Sequence, residues 1–269
     1  MLLTHRTGRL SLSLALLGVL PLAQADTHES LSAAVESLWS GEQVSISVLG
    51  SSFTQQVSKA GTEYRPEVKH APFYLQAAGE SAWVVAGRMR FNAVTTSWGN
   101  FPRLDMRKAR LLEIDLPKKH YQVLTGPGAG LFGVGDWQRY GFLQVIDISV
   151  PSAPLHYPLY TDAGLGEHAL GRLADSPVLN YARLVPTSQS RTGEIDTYEV
   201  SLYALGRKGP ERVLRDGVAL AYLLKREGDG WNIESVDRTP VTAERDEEHR
   251  PFTTPLRPAL FSVKRNDQQ

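Results

Sequence analysis

The sequence has no cysteine among its 269 residues. That absence excludes disulfides, thiol nucleophiles, cysteine-ligated zinc and a lipid-bearing cysteine behind a leader. Net charge is absent too: 29 Lys and Arg balance 29 Asp and Glu. A nucleic-acid binder carries a basic excess, so that class is set aside. No apolar run reaches the roughly 20 residues that a membrane helix needs. No two histidines stand four apart, so there is no H-E-x-x-H metal helix, and no G-x-S-x-G elbow occurs. These residues give no reason to expect a metal ion or a cofactor.

What is present begins with an export signal. Arg6 and Arg9 make the start positive, the apolar run LSLSLALLGVLPLA covers 10–23, and Ala23-Gln24-Ala25 puts small residues where a signal peptidase reads. Residues 1–25 are therefore expected to be cleaved after Ala25, leaving a periplasmic or secreted protein. The leader removes two arginines and no acid, so the mature chain is slightly acidic. Without disulfides it depends on its core, and a chain of this length can bury a large one. Residues 26–240 are expected to form a single domain. Residues 241–269 form a tail with a charge run, AERDEEHRP (243–251), and prolines at 251, 255 and 258 that discourage a helix.

Residues 26–40 suggest one short docking helix, with Asp26 and Glu29 in a capping-box arrangement and Leu31, Val35, Leu38 and Trp39 on one face. After it the period becomes two. Val44, Ile46 and Val48 alternate with polar residues, LGSS (49–52) offers a hairpin turn, and Phe53 and Val57 continue a partner strand. Residues 58–70 are polar and suggest a loop. Beyond them strand-like runs recur: 73–91, 109–116, 120–125, 131–137, 142–148, 155–160, 178–185, 197–205 and 211–216, then a hairpin over 217–237 with Gly228-Asp229-Gly230 at its tip. Ile114-Asp115-Leu116 aligns with Ile146-Asp147-Ile148, as if one unit repeated. The expected fold is mainly β and antiparallel: a propeller-like repeat of hairpin units, or alternatively a β-sandwich or barrel, behind a short N-terminal helix.

GAGLFG (128–133) matches the G-x-G-x-x-G spacing of dinucleotide loops, and Asp147 ends the next strand as such a fingerprint requires. The crossover helix is what fails. Gly133 and Gly135 would sit inside it, each costing about 1 kcal/mol relative to alanine. The glycines are expected to mark a connection between strands. Asp115 and Asp147 invite an acid/base role, but their matching positions suggest the same turn contacts in two units.

Two loop stretches carry binding-type residues: Trp98, Asn100 and Arg103 in TTSWGNFPR (95–103), and Trp137, Arg139 and Tyr140 in GDWQRYG (135–141). Trp, Tyr and Arg dominate binding hot spots. Glu167 and His168, adjacent in GLGEHALG (164–171), are the candidate catalytic pair. With no catalytic spacing elsewhere, the expected function is a non-catalytic binding or protein-interaction module of the cell envelope. Its partner is a protein or a small polar ligand. The alternative is a periplasmic hydrolase or lyase with site residues on separated loops. Mass spectrometry of the protein recovered after export is expected to find Asp26 as the first residue; an intact Met1 terminus overturns the cleavage.

Overall fold

The computed structural model describes residues 27–28, 30–41, 44–68, 73–78, 81–86, 88–92, 103–129, 141–161, 164–190 and 194–236. Within them the chain is mainly β, and every strand pair is antiparallel.

The chain opens with β1 (Thr27–His28) and α1 (Leu31–Glu36). The helix is shorter than the expected 26–40. Thr27 and His28 commit their backbone to pairing with Asn232 and Trp231, so the helix begins after them. Ser30 caps it instead, its hydroxyl accepting from Ala33 N at 3.1 Å. Ala34, Val35 and Leu38 form the buried face.

Next come β2 (Ser45–Gly50), β3 (Phe53–Ser58), β4 (Gly61–Pro66), β5 (Phe73–Ala78), β6 (Ser81–Ala86) and β7 (Met89–Asn92). The last five form one meander in chain order. Two expectations fail here. Leu49–Ser52 closes no hairpin: β2 belongs to another sheet, and the turn carries the chain between sheets. Residues 58–70 are not all loop, because β4 occupies 61–66. Its alternation was hidden by polar residues: Tyr64 packs inward while Glu63 and Arg65 share the other face in a 2.8 Å ion pair. Arg65 then stacks 3.9 Å from the Tyr74 ring centre, and Arg90 stacks 3.5 Å from that of Trp83.

The central sheet uses β8 (Arg103–Leu104), β9 (Arg110–Leu116), β10 (Lys119–Ala129), β11 (Gly141–Asp147) and β12 (Leu155–Thr161), in the order β12-β11-β10-β9-β2 with β8 on the end of β10. A 3-10 turn (Gly166–Ala169) leads to the third sheet. That sheet contains β13 (Leu170–Gly171), β14 (Asn180–Gln189), β15 (Ile195–Gly206) and β16 (Gly209–Arg212). A small pair, β17 (Leu214–Arg215) with β18 (Val218–Ala219), precedes the closing hairpin of β19 (Ala221–Glu227) and β20 (Gly230–Val236), which turns at Gly228-Asp229 as expected. The order is β1-β20-β19-β15-β14-β13.

The three sheets stack with the central one in the middle. Leu112, Ile114, Tyr121, Val123, Leu143 and Val145 share a core with the third sheet and α1, while Leu111, Leu124 and Ile146 share another with the meander. Every residue of β11 is buried. Tyrosines tie the layers: Tyr121 Oη accepts from Leu179 N at 3.2 Å, and Tyr157 Oη donates to Gly206 O at 3.0 Å. Burial pushes the Tyr121 hydroxyl up to about 12. Ile114 and Ile146, which looked like equivalent positions of two units, lie two strands apart in this one sheet.

His156 on β12 sits between layers, its Nε2 donating to Gln144 Oε1 at 2.8 Å and its ring 5.2 Å from that of Phe91. Burial pushes it down to about 3, whereas an unfolded histidine titrates near 6.5. The folded value is the lower, so below about pH 6.5 the unfolded chain takes up a proton that the fold refuses. Stability is complete above that pH and is lost as the pH falls toward 3, by at most about 1.4 kcal/mol per unit. His156→Gln is expected to narrow the gap in urea-measured stability between pH 7 and pH 4.5 by roughly 1–2 kcal/mol. An unchanged gap overturns the assignment.

Candidate functional site

The glycine motif is settled by pairing. Tyr121–Pro127 of β10 lie directly opposite Gly141–Asp147 of β11 in antiparallel register. A dinucleotide fingerprint needs a parallel pair joined by a helix. Asp147 lies opposite Tyr121, seven residues before Gly128, so at about 3.4 Å per residue the acid and the glycine end are over 20 Å apart.

The two aspartates do not make the same turn contacts. They flank the start of β10 from either side, Asp115 opposite His120 and Asp147 opposite Tyr121. Asp147 is 3% exposed and accepts from Lys119 Nζ at 2.6 Å and from Ser149 N and Oγ at 3.0 and 2.5 Å, which holds its own turn. Asp115 is exposed and meets His120 Nδ1, while His120 Nε2 lies 3.1 Å from Glu113 Oε1. Asp147 is therefore a structural anchor.

The candidate pair Glu167 and His168 does lie in a concavity. A cleft of about 170 Å3 opens where β10 and β11 part, between Lys108 and Arg110 on one side and the Gly164–His168 segment on the other. Glycines make the room. Gly164 and Gly166 take left-handed backbone, with φ of +67° and +53°. A Cβ on Gly141 would stand 2.8 Å from Thr161 Oγ1, so only glycine lets the 3-10 turn approach β11. Thr161 Oγ1 stitches that contact by accepting from Gly166 N at 3.2 Å.

Arg110 and Glu167, 57 positions apart, form the wall of the cleft. One nitrogen, Nη2, donates to both Glu167 oxygens at 2.7 and 2.8 Å. Nε and Nη1 have no partner among the described residues. Lys108 adds a second cation, and Thr125 a buried hydroxyl. His168 turns to α1: its Nδ1 lies 2.5 Å from Glu36 Oε1, and its carbonyl accepts from Trp39 Nε1 at 3.3 Å. Among the described residues no hydroxyl lies within hydrogen-bond reach of His168, and no cluster of three or more His, Asp or Glu is arranged to hold a metal ion. Glu36 does not line the cleft, so among the described residues no second carboxylate joins Glu167 there.

Of the expected binding residues, Arg103 lies in β8, where its backbone pairs with Ala129 beside the cleft end of β10. Trp98, Asn100, Trp137, Arg139 and Tyr140 lie outside the described residues. Segment 130–140 joins Ala129 to Gly141, and Gly141 lines the cleft. Sequence reasoning missed Arg110, Lys108 and Glu36; no local pattern ties them to a loop so distant in the chain. Comparison with protein-family models, with curated proteins and with solved structures gives no match.

The two ion pairs differ in what they do for stability. Asp147→Ala is expected to cost about 2–3 kcal/mol, since it removes several bonds to a buried carboxylate. Arg110 is 45% exposed, so Arg110→Ala is expected to cost under about 1 kcal/mol. Urea denaturation of both variants checks this; equal losses would make the Arg110–Glu167 pair a second structural anchor.

Proposed function

We propose that the protein is an exported, non-catalytic binding module of the cell envelope that holds a small polar ligand, bearing an anionic group, in the Arg110 cleft. One observation carries the reading: Arg110, which lines the cleft with Lys108, spends a single nitrogen on Glu167, and its other donors meet no partner among the described residues. Guanidinium donors of that kind suit carboxylate and phosphate oxygens. The cleft's volume of about 170 Å3 has room for a small group. Gly141, which ends one expected binding loop, lines the cleft, and the backbone of Arg103, which ends the other, pairs with Ala129 next to it. The propeller-like arrangement belongs to this proposal as well, since antiparallel meanders stacked face to face are its building units.

The hydrolase or lyase reading keeps one specific observation, the carboxylate of Glu36 against His168, which is how a general base is often oriented. It lacks a nucleophile in reach of that imidazole among the described residues.

Calorimetric titration of the mature chain with inorganic phosphate, succinate and citrate tests the proposal. At least one anion is expected to bind wild type, and Arg110→Gln to weaken it about tenfold or more, the equivalent of one charge-assisted bond. Binding that Arg110→Gln leaves unchanged, or no binding by any of the three, overturns it. Ester hydrolysis abolished by His168→Gln would decide for the enzyme.

A further inference from the structure

Residues 43–58, QVSISVLGSSFTQQVS, contain no Asp, Glu, Lys, Arg or His. At the chain's 22% charge content, sixteen residues would carry three or four charges. A charge-free stretch is ordinary inside a core, but ten residues of this one are exposed. Ser45, Ser47, Ser51, Ser52 and Thr54–Ser58 are exposed, with Val48 at 60% and Val57 at 73%. The stretch forms two successive edge strands. Among the described residues β2 pairs only with β9, and β3 only with β4. Two residues, Ser51 and Ser52, join them, so both open edges lie on one flank of the stack.

An open edge presents unpaired N–H and C=O groups to any strand that approaches, and proteins usually block it with a lysine, a proline or a bulge. β2 has an irregularity between Val48 and Gly50. β3 has none: it pairs without a register shift from Phe53↔Pro66 to Ser58↔Gly61, and FTQQVS contains neither charge nor proline. The occupant follows from the missing charge. In a two-fold assembly each edge residue near the axis meets its own copy, so any charge there would face a like charge. A neutral edge removes that repulsion, whereas an edge meant for an acidic or basic peptide would carry the opposite sign.

We propose that β3 pairs with β3 of a second copy of this chain, antiparallel about a two-fold axis near Gln55 and Gln56, with β2 flanking the contact. The pairing closes on itself, which prevents the open edge from propagating into fibres. Six residues span about 20 Å, and two stacked edges about 15–20 Å, so each copy buries roughly 300–400 Å2. That lies below the size of tight assemblies, and the dimer is expected to form at tens of micromolar. This surface is independent of the anion reading of the cleft.

Sedimentation of the mature chain from 1 to 200 μM tests it. Wild type is expected to shift from monomer to dimer across that range, and the variant carrying both Gln55→Lys and Val57→Lys to stay monomeric with an unchanged circular dichroism spectrum. The cysteine-free background offers a second measurement: Gln55→Cys is expected to form a disulfide-linked dimer under mild oxidation, whereas the exposed control Leu214→Cys is not. A wild type monomeric at 200 μM, a dimer that the two lysines leave intact, or equal cross-linking of both cysteine variants overturns the proposal.

Discussion

The structure depends on a sheet that is buried on both faces. A strand between two layers has no solvent face for polar residues, and β11 is the extreme case. Phe142, Gln144 and Ile146 point one way, Leu143, Val145 and Asp147 the other, and none reaches water appreciably. Its apolar members supply burial, and its two polar members fix the register. Gln144 must meet His156, and Asp147 must meet Lys119 and Ser149. A slip by one residue would turn both to the wrong layer and leave them without partners. The neutral state of His156 follows from the same constraint, since a proton on that ring would have to be held between layers with no anion bonded to it.

The cleft lies where that filling stops. β10 and β11 pair as far as Pro127 opposite Gly141. At that end Gly126 and Gly141 replace the leucines and valines of the strand centres, and the chain inserts a tight turn, Gly164–Ala169, in place of side chains. Backbone is thinner than a side-chain layer, so space remains. Arg110, the first residue of β9, reaches that space from the strand where alternation has just begun. The site is thus positioned by rigid sheet on one side and by a turn stitched through Thr161 on the other.

Much of this was legible in the sequence, and the failures have physical causes. The runs at 109–116, 120–125, 142–148 and 155–160 are strands because apolar residues recur there between proline and glycine turns. The capping box Asp26-x-x-Glu29 was misleading, since the pairing of Thr27 and His28 with a strand two hundred residues away outweighs a local cap. The turn at Leu49–Ser52 was correctly seen as a turn, but turn chemistry does not say whether a chain folds back on its own sheet or crosses to the next. Strand β4 was hidden because its outer face is charged and its inner face carries mainly Tyr64. Ile114 and Ile146 flank one strand, β10, but face opposite layers, so their likeness marks no repeated unit. Glu167 and His168 announced themselves as adjacent polar residues on a glycine loop. Arg110 did not, because its role exists only once a contact across 57 positions is made.

The proposed reading, in which the cleft holds a ligand and does not transform it, rests on the charges around it. A group that exchanges protons with a substrate must be able to change its own bonds during the reaction. Glu167 is held by a guanidinium at both oxygens, and His168 Nδ1 meets the Glu36 carboxylate. Among the described residues, the cleft-lining cations with side-chain donors that meet no partner are Arg110 and Lys108. In the proposed reading these two cations orient and retain an anion. The glycine turn sharpens that division, because Gly166 gives its N–H to Thr161 and so adds no further donor for developing charge.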